Sequence, residues 1–203
     1  MLRITTAGEP LSIENLAFDN TNQGDQLAIE LSGARAVVLK DIVSAGVSLL
    51  DRKPGGGRVF VEDVCCGRME IAGPEPVSAR QFDTEGGGTR IVNRGSPLSI
   101  LGLKTEGVCT IVDNRDGART DVFGGLVYMV HDPKGANVPA FRNEGGRLSA
   151  AFAEEVLGSG IQYDIYLAEN SGPHTIAASS FPQRGFGHFV PNLLAQTAAA
   201  PSQ

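Results

Sequence analysis

Apolar and polar positions alternate along this chain in short bursts, and six of these bursts can be laid over one another residue for residue. Val37-Val38-Leu39-Lys40-Asp41-Ile42 returns as Val59-Phe60-Val61-Glu62-Asp63-Val64 and as Val77-Ser78-Ala79-Arg80-Gln81-Phe82. It returns again as Leu98-Ser99-Ile100-Leu101-Gly102-Leu103, Thr120-Asp121-Val122-Phe123-Gly124-Gly125 and Leu148-Ser149-Ala150-Ala151-Phe152-Ala153. Counted start to start, the steps are 22, 18, 21, 22 and 28 residues. Steps this uneven do not make a strict repeat, but they suit stacked coils joined by loops of variable length, which is a solenoid signal.

Within each segment the first and third residues are mostly apolar and the second and fourth are mixed or polar, the period-two alternation of a strand with one buried face. A polar or glycine position follows (Asp41, Asp63, Gln81, Gly102, Gly124), then in most segments another apolar residue. A bend at that position lets the apolar residues on both sides point inward. Glu14-Asn15-Leu16, preceded by Ile13, fits the same template, so Asn15, Asp41 and Asp63 fall at one turn position, where Asn and Asp tolerate left-handed backbone angles. Helical periodicity is confined to Leu148 to Leu157 and the Ala-rich end near Leu193. Parallel strands normally need a long crossover, but a chain wound as one continuous coil meets intervals of about twenty residues without helices. The pattern therefore predicts an all-β fold, a parallel β-helix of about 20-residue coils, with a β-sandwich as the competing architecture. Residues 1–180 read as a single β-helix domain. Residues 181–203 read as a capping segment whose end, Thr197 to Gln203, is expected to be disordered.

Composition narrows the function classes. The 203 residues are 41% apolar and 20% charged, ordinary for a globular chain, and 26 glycines and 11 prolines suit many short strands and turns. A net charge of -6 argues against a nucleic-acid backbone as partner. No apolar run approaches the ~20 residues needed to cross a bilayer, so no membrane partner is expected, and Met1-Leu2-Arg3-Ile4 lacks the apolar core of a secretory signal. Cys65 and Cys66 are adjacent and Cys109 lies two coils on, too far for an ordinary bridge; buried free thiols are expected.

Three of the coils resemble a known family. Ala79-Arg80-Gln81-Phe82-Asp83-Thr84-Glu85, Asn93-Arg94-Gly95 leading into Ile100-Leu101-Gly102-Leu103-Lys104-Thr105-Glu106-Gly107, and Thr120-Asp121-Val122-Phe123-Gly124-Gly125 are similar to the later coils of the pectate-lyase superfamily. The likeness is narrowest to the branch with β-helical β-1,3-glucanases and phage tail depolymerases, and it covers residues 76 to 130. It implies a right-handed parallel β-helix, work on polysaccharide as hydrolase or lyase, and a place outside the cell or on its surface. Two departures stand out. Ser78 and Ser99 occupy positions where that branch commonly has Trp, which removes a stacking platform for sugar rings there. The N-terminal segment and cap of the branch are also missing, so the first coil is expected to be an open end covered by another chain, in a homo-oligomer or with a different partner.

Stacking the coils turns distant residues into ladders, and the candidate chemistry lies on them. Lys40, Glu62 and Arg80 alternate in sign on adjacent coils, as a solvated β face does. Beyond the bend, Asp83 faces Lys104 and Glu85 faces Glu106. A glycosidase needs two carboxyls flanking the bond it cuts, and repulsion between close carboxylates raises the proton affinity of one. Glu85 and Glu106 are therefore the candidate acid and base. Arg80 and Lys104 are candidates to orient them or bind sugar, and Asp121 is a third acidic contact. The calcium-binding acid cluster of a lyase is not apparent, because on the stripe near Arg80 only Asp121 is acidic. The sequence has no nucleophile elbow, phosphate loop or Cys-x-x-Cys pair, and His131, His174 and His188 lack metal-ligand spacing, so no metal or cofactor is expected. The leading expectation is a polysaccharide-directed β-helix module; the alternative is a non-catalytic structural or adhesion subunit.

Overall fold

The computed structural model describes residues 1–18, 26–130, 138–156, 161–170, 174–184, 188–189 and 192–196. The expected disordered end, 197–203, lies outside them, as do His131 and residues 185–187. The first strands are β1 (Leu2–Ile4), β2 (Leu11–Ala17), β3 (Leu27–Leu31), β4 (Val37–Arg52) and β5 (Val59–Ala72). Next come β6 (Val77–Glu85), β7 (Gly88–Arg94), β8 (Pro97–Glu106), β9 (Cys109–Arg115), β10 (Arg119–Tyr128), β11 (Phe141–Asn143), β12 (Arg147–Glu155) and β13 (Ile165–Glu169). The chain then forms β14 (His174–Ala177), β15 (Gln183–Arg184), β16 (His188–Phe189) and β17 (Asn192–Gln196). The helical content among the described residues is one short 3-10 turn, Ala178–Ser180.

These strands wind into a parallel β-solenoid of about 6 turns with roughly 22-residue spacing. On the first side, β2, β4, β5, β6, β8, β10 and β12 pair in parallel, and the register sets Val37 against Val59, Val59 against Val77, Val77 against Leu98, Leu98 against Thr120 and Thr120 against Leu148. Ile100 lies between Ala79 and Val122 in the interior and is fully buried. The second side is built by β1, β3, the later halves of β4 and β5, then β7, β9, β11 and β13. Its interior column, Ile29, Leu50, Met69, Ile91, Val112, Phe141 and Leu167, is entirely buried. Each coil thus buries the apolar residues of two faces against its neighbours, which is where the stabilisation of a solenoid comes from.

The expected bend is real and has one backbone cause. Asn15, Asp41, Asp63 and Gln81 have φ of 56°, 51°, 52° and 49°, and Gly102 and Gly124 take the same left-handed conformation. Such a residue shifts the alternation by one, so Leu39 before Asp41 and Ile42 after it both point inward.

Both helical candidates are strands instead. Leu148 to Glu155 lies in β12, which pairs in parallel with β10 and antiparallel with β16 and β17. The end near Leu193 is strand β17 as far as Gln196, and alanines 198–200 lie outside the described residues. Ladder pairing and burial of Leu148, Ala150 and Phe152 outweigh the helical propensity of Ala, Leu and Glu. On the second side β14 runs antiparallel to β13. Phe141, Phe152, Tyr166 and Phe181 stack in sequence at centroid distances of 5.4, 5.3 and 5.6 Å, packing this end of the column.

The second side also contains a column that the sequence pattern did not suggest. Asn93, Asn114 and Asn143 are fully buried on adjacent coils. Asn93 donates to the Ser96 carbonyl at 3.0 Å, Asn114 to the Arg147 carbonyl at 3.0 Å and Asn143 to the Gly146 carbonyl at 3.1 Å. Each buried amide satisfies a backbone carbonyl of a turn.

Candidate functional site

Strand β6 bends at Gln81 and β8 at Gly102, so Arg80 and Leu101 face one way while Asp83, Glu85, Lys104 and Glu106 lie beyond the bend. The parallel register sets Asp83 against Lys104 and Glu85 against Glu106. It also extends the two columns to residues that the sequence did not place in the site: Cys65 lies beside Asp83, and Tyr128 beside Glu106.

Lys104 is the hub of this group. Its Nζ is 3.1 Å from Oδ2 of Asp83 and 3.5 Å from Oε2 of Glu106, and it donates a hydrogen bond to Oε1 of Glu85. Tyr128 donates its hydroxyl to the same Glu106 oxygen at 2.8 Å, and its ring centroid lies 5.6 Å from the ammonium. Burial disfavours the charge on Lys104, but the hydrogen bonds to Glu85 and Asp83 outweigh it and hold the group above the ordinary lysine range. Lys104 is therefore a fixed cation, able to bind or polarise but not to act as a base. Asp83 is the carboxyl pushed upward, by burial first and by Glu85 beside it, against the pull of Lys104. A raised carboxyl is what a general acid requires, and the sequence alone did not separate Asp83 from its neighbours in that respect.

The Sγ of Cys65 and carboxylate oxygens of Asp83 and Glu85 all lie within 4.8 Å of one another. The Lys104 ammonium supplies the positive charge at this spot, and burial together with Asp83 pushes the Cys65 thiol up to about 11, so it is neutral at pH 7. All three cysteines are free, as the sequence predicts, but only Cys66 and Cys109 are buried, Cys65 being half-buried.

The group borders a cleft of ≈ 480 Å³ lined by Cys65, Glu85, Glu106 and the glycines Gly86, Gly87 and Gly107. That volume lies in the range of small-molecule sites, about 300–1,000 Å³. The cleft exists because the turns after β6 and β8 are glycine. Gly86 and Gly107 have φ of 111° and 107°, and a Cβ on Gly107 would come within 3.0 Å of the Gly86 carbonyl oxygen. The Gly86 N–H bonds the Glu106 carbonyl at 3.0 Å and the Gly107 N–H the Tyr128 carbonyl at 3.1 Å, so the turns stack as the strands do.

Arg80 and Asp121 lie on the neighbouring face, before the bend. Arg80 donates to Glu62 at 2.6 Å, and Lys40 lies 3.7 Å from the same Glu62 oxygen, completing the alternating stripe. Asp121 accepts from Arg119 at 2.8 Å. The structure therefore brings Glu85, Glu106 and Lys104 together, adds Asp83, Tyr128 and Cys65, and gives Arg80 and Asp121 partners elsewhere. Extending the six aligned segments four residues past the bend would have found Tyr128, because it occupies the same column as Glu85 and Glu106.

The class defined by this fold is the parallel β-solenoid. Comparison of the chain with protein-family models, curated proteins and solved structures finds no match.

Proposed function

We propose that this protein is a polysaccharide-directed β-solenoid module, acting outside the cell or at its surface, with glycoside hydrolysis at Glu85 and Glu106 as its reaction. The observation that carries the reading is one ammonium, Lys104, held by carboxylates from adjacent coils at the edge of an open, glycine-walled cleft. The similarity of residues 76 to 130 to the pectate-lyase superfamily supports it. In this reading Glu85 and Glu106 exchange protons with the glycosidic oxygen and water, Asp83 is the reserve of proton affinity beside them, and Lys104 fixes their positions. Arg80 and Asp121 contact sugar on the adjoining face. The test is reducing-end release from a panel of β-glucans and uronic-acid polymers. Activity on one member, lost in both Glu85→Gln and Glu106→Gln, is the expected result; activity unchanged in Glu85→Gln removes the assignment.

A second reading is a non-catalytic structural or adhesion subunit completed by another chain. It is favoured by a difference between the two ends. Strands β14, β16 and β17 lie antiparallel against the last coil, whereas among the described residues β1 pairs with β3 alone and β2 with β4 alone. An uncovered strand edge is a site for a further strand. Sedimentation of the purified chain tests it, since a homo-oligomer would appear as a concentration-dependent mass.

A further inference from the structure

On the face before the bend, three large apolar side chains stand out of the sheet: Phe60 is 45% exposed, Leu101 57% and Phe123 56%. They come from three coils and two neighbouring columns, and they wall a trough of ≈ 400 Å³ whose lining includes Ser78, Ser99 and Arg80. The register places Phe60 beside Ser78, Ser78 beside Ser99, and Leu101 beside Phe123. Aromatic surface thus flanks the small, exposed serines that stand at the two Trp positions of the resembling branch. Phe60 and Phe123 sit three rungs apart, roughly 14 Å along the axis at ~4.8 Å per rung.

We propose that this trough is a binding subsite for uncharged sugar rings, a second contact for the glycan assigned to the cleft beyond the bend; it rests on that reading. Three features select this occupant. Phenyl faces offer apolar surface to the C–H face of a pyranose, while the hydroxyls of Ser78 and Ser99 can both donate to and accept from ring hydroxyls. The charges on the rim are already paired, because Glu62 holds both Lys40 and Arg80, so an anionic polymer would have to displace Glu62 to gain a cation. The apolar area is also too small for a second copy of the chain. Three such side chains, each about half exposed, present roughly 300 Å², against about 800 Å² per partner in a stable complex.

The test is titration calorimetry of the intact chain with laminarihexaose and cellohexaose as uncharged probes and oligogalacturonate as the charged one. The wild type is expected to bind an uncharged hexaose in preference to oligogalacturonate. Phe60→Ala and Phe123→Ala are each expected to weaken that binding about tenfold, with Phe60→Trp retaining it. Both phenyl rings are exposed, so the variants should fold, and an unchanged circular dichroism spectrum verifies this. Binding that survives both alanine variants but is lost in Glu85→Gln overturns the trough and leaves the cleft reading standing. A wild type that binds no probe overturns both. Preference for oligogalacturonate, or a dimer that Phe123→Ala dissolves, assigns the trough to another occupant and overturns the proposal.

Discussion

Lys104 and Asp83, 21 residues apart in sequence, face each other on adjacent coils with Nζ 3.1 Å from Oδ2. The same ammonium serves Glu85 and Glu106. Removing it leaves three carboxylates without their shared cation. Lys104→Met is expected to lower stability by about 2 kcal/mol near neutral pH, a partly solvated case between surface and buried ion pairs. The loss should shrink in strongly acidic buffer, where protonated carboxyls no longer need a counter-ion. Urea midpoints of both chains at pH 7 and pH 3 measure it.

Glu154 predicts a dependence on pH. It is buried and accepts hydrogen bonds from the Tyr163 N–H at 2.7 Å and the Tyr166 hydroxyl at 2.6 Å, and burial raises its proton affinity above the ordinary 4.5. A carboxyl raised in the folded state stabilises fully below its unfolded pKa, and that contribution disappears as pH rises through the folded value. Glu154→Gln, which resembles the protonated form, should match the wild type near pH 4 and become the more stable of the two as pH rises from about 4.5. Melting temperatures across pH 4 to 8 give the comparison; a difference that is flat with pH contradicts it.

The cysteines should resist thiol reagents while the chain is folded. Burial pushes Cys66 up to about 12, and burial with Asp83 pushes Cys65 up to about 11. The thiolate is the reactive species, so labelling of the native protein at pH 8 should be slow. The rate should then climb about tenfold per pH unit toward pH 10, with three thiols reacting promptly in denaturant. Prompt labelling at pH 8 would mean that Cys65 is more open than its surroundings indicate.

In the asparagine column, Asn114 donates to the Arg147 carbonyl, and its Oδ1 accepts from Thr120 at 2.6 Å. Asn114→Ala takes the donor from the Arg147 carbonyl and the acceptor from the Thr120 hydroxyl, which still accepts from Asn93, and should cost about 1 to 3 kcal/mol. Asn93→Ala should behave alike, since its amide also reaches two groups. Chemical denaturation of both variants tests this, and a cost below about 0.5 kcal/mol would show that the turns hold without their amides.

Much of the architecture was legible because a solenoid repeats its register. The six apolar segments carry in their own spacing the pairing that sets Ile100 between Ala79 and Val122, and Asp41 and Gln81 mark the bend. What stayed hidden had two physical causes. In Leu148 to Glu155 the helical propensity of Ala and Glu competes with a ladder whose partners lie far off in sequence, and the ladder prevails. The asparagines at 93, 114 and 143 carry no apolar alternation, so a pattern of buried faces passes over them. For the site, the register was enough to bring Glu85, Lys104 and Glu106 together. It did not reveal that Asp83 is the desolvated carboxyl, since that depends on how closely the neighbouring coils cover it.

Val59 to Val77 completes a coil in 18 residues and Thr120 to Leu148 takes 28, yet each pair meets in the same register. The column therefore ignores ten residues of difference in coil length. Length added in the connections outside the ladders should be nearly free of consequence for them, which makes these connections natural grafting points. A foreign peptide spliced into one of them would be displayed at a fixed height while Asp121 went on facing Ser149.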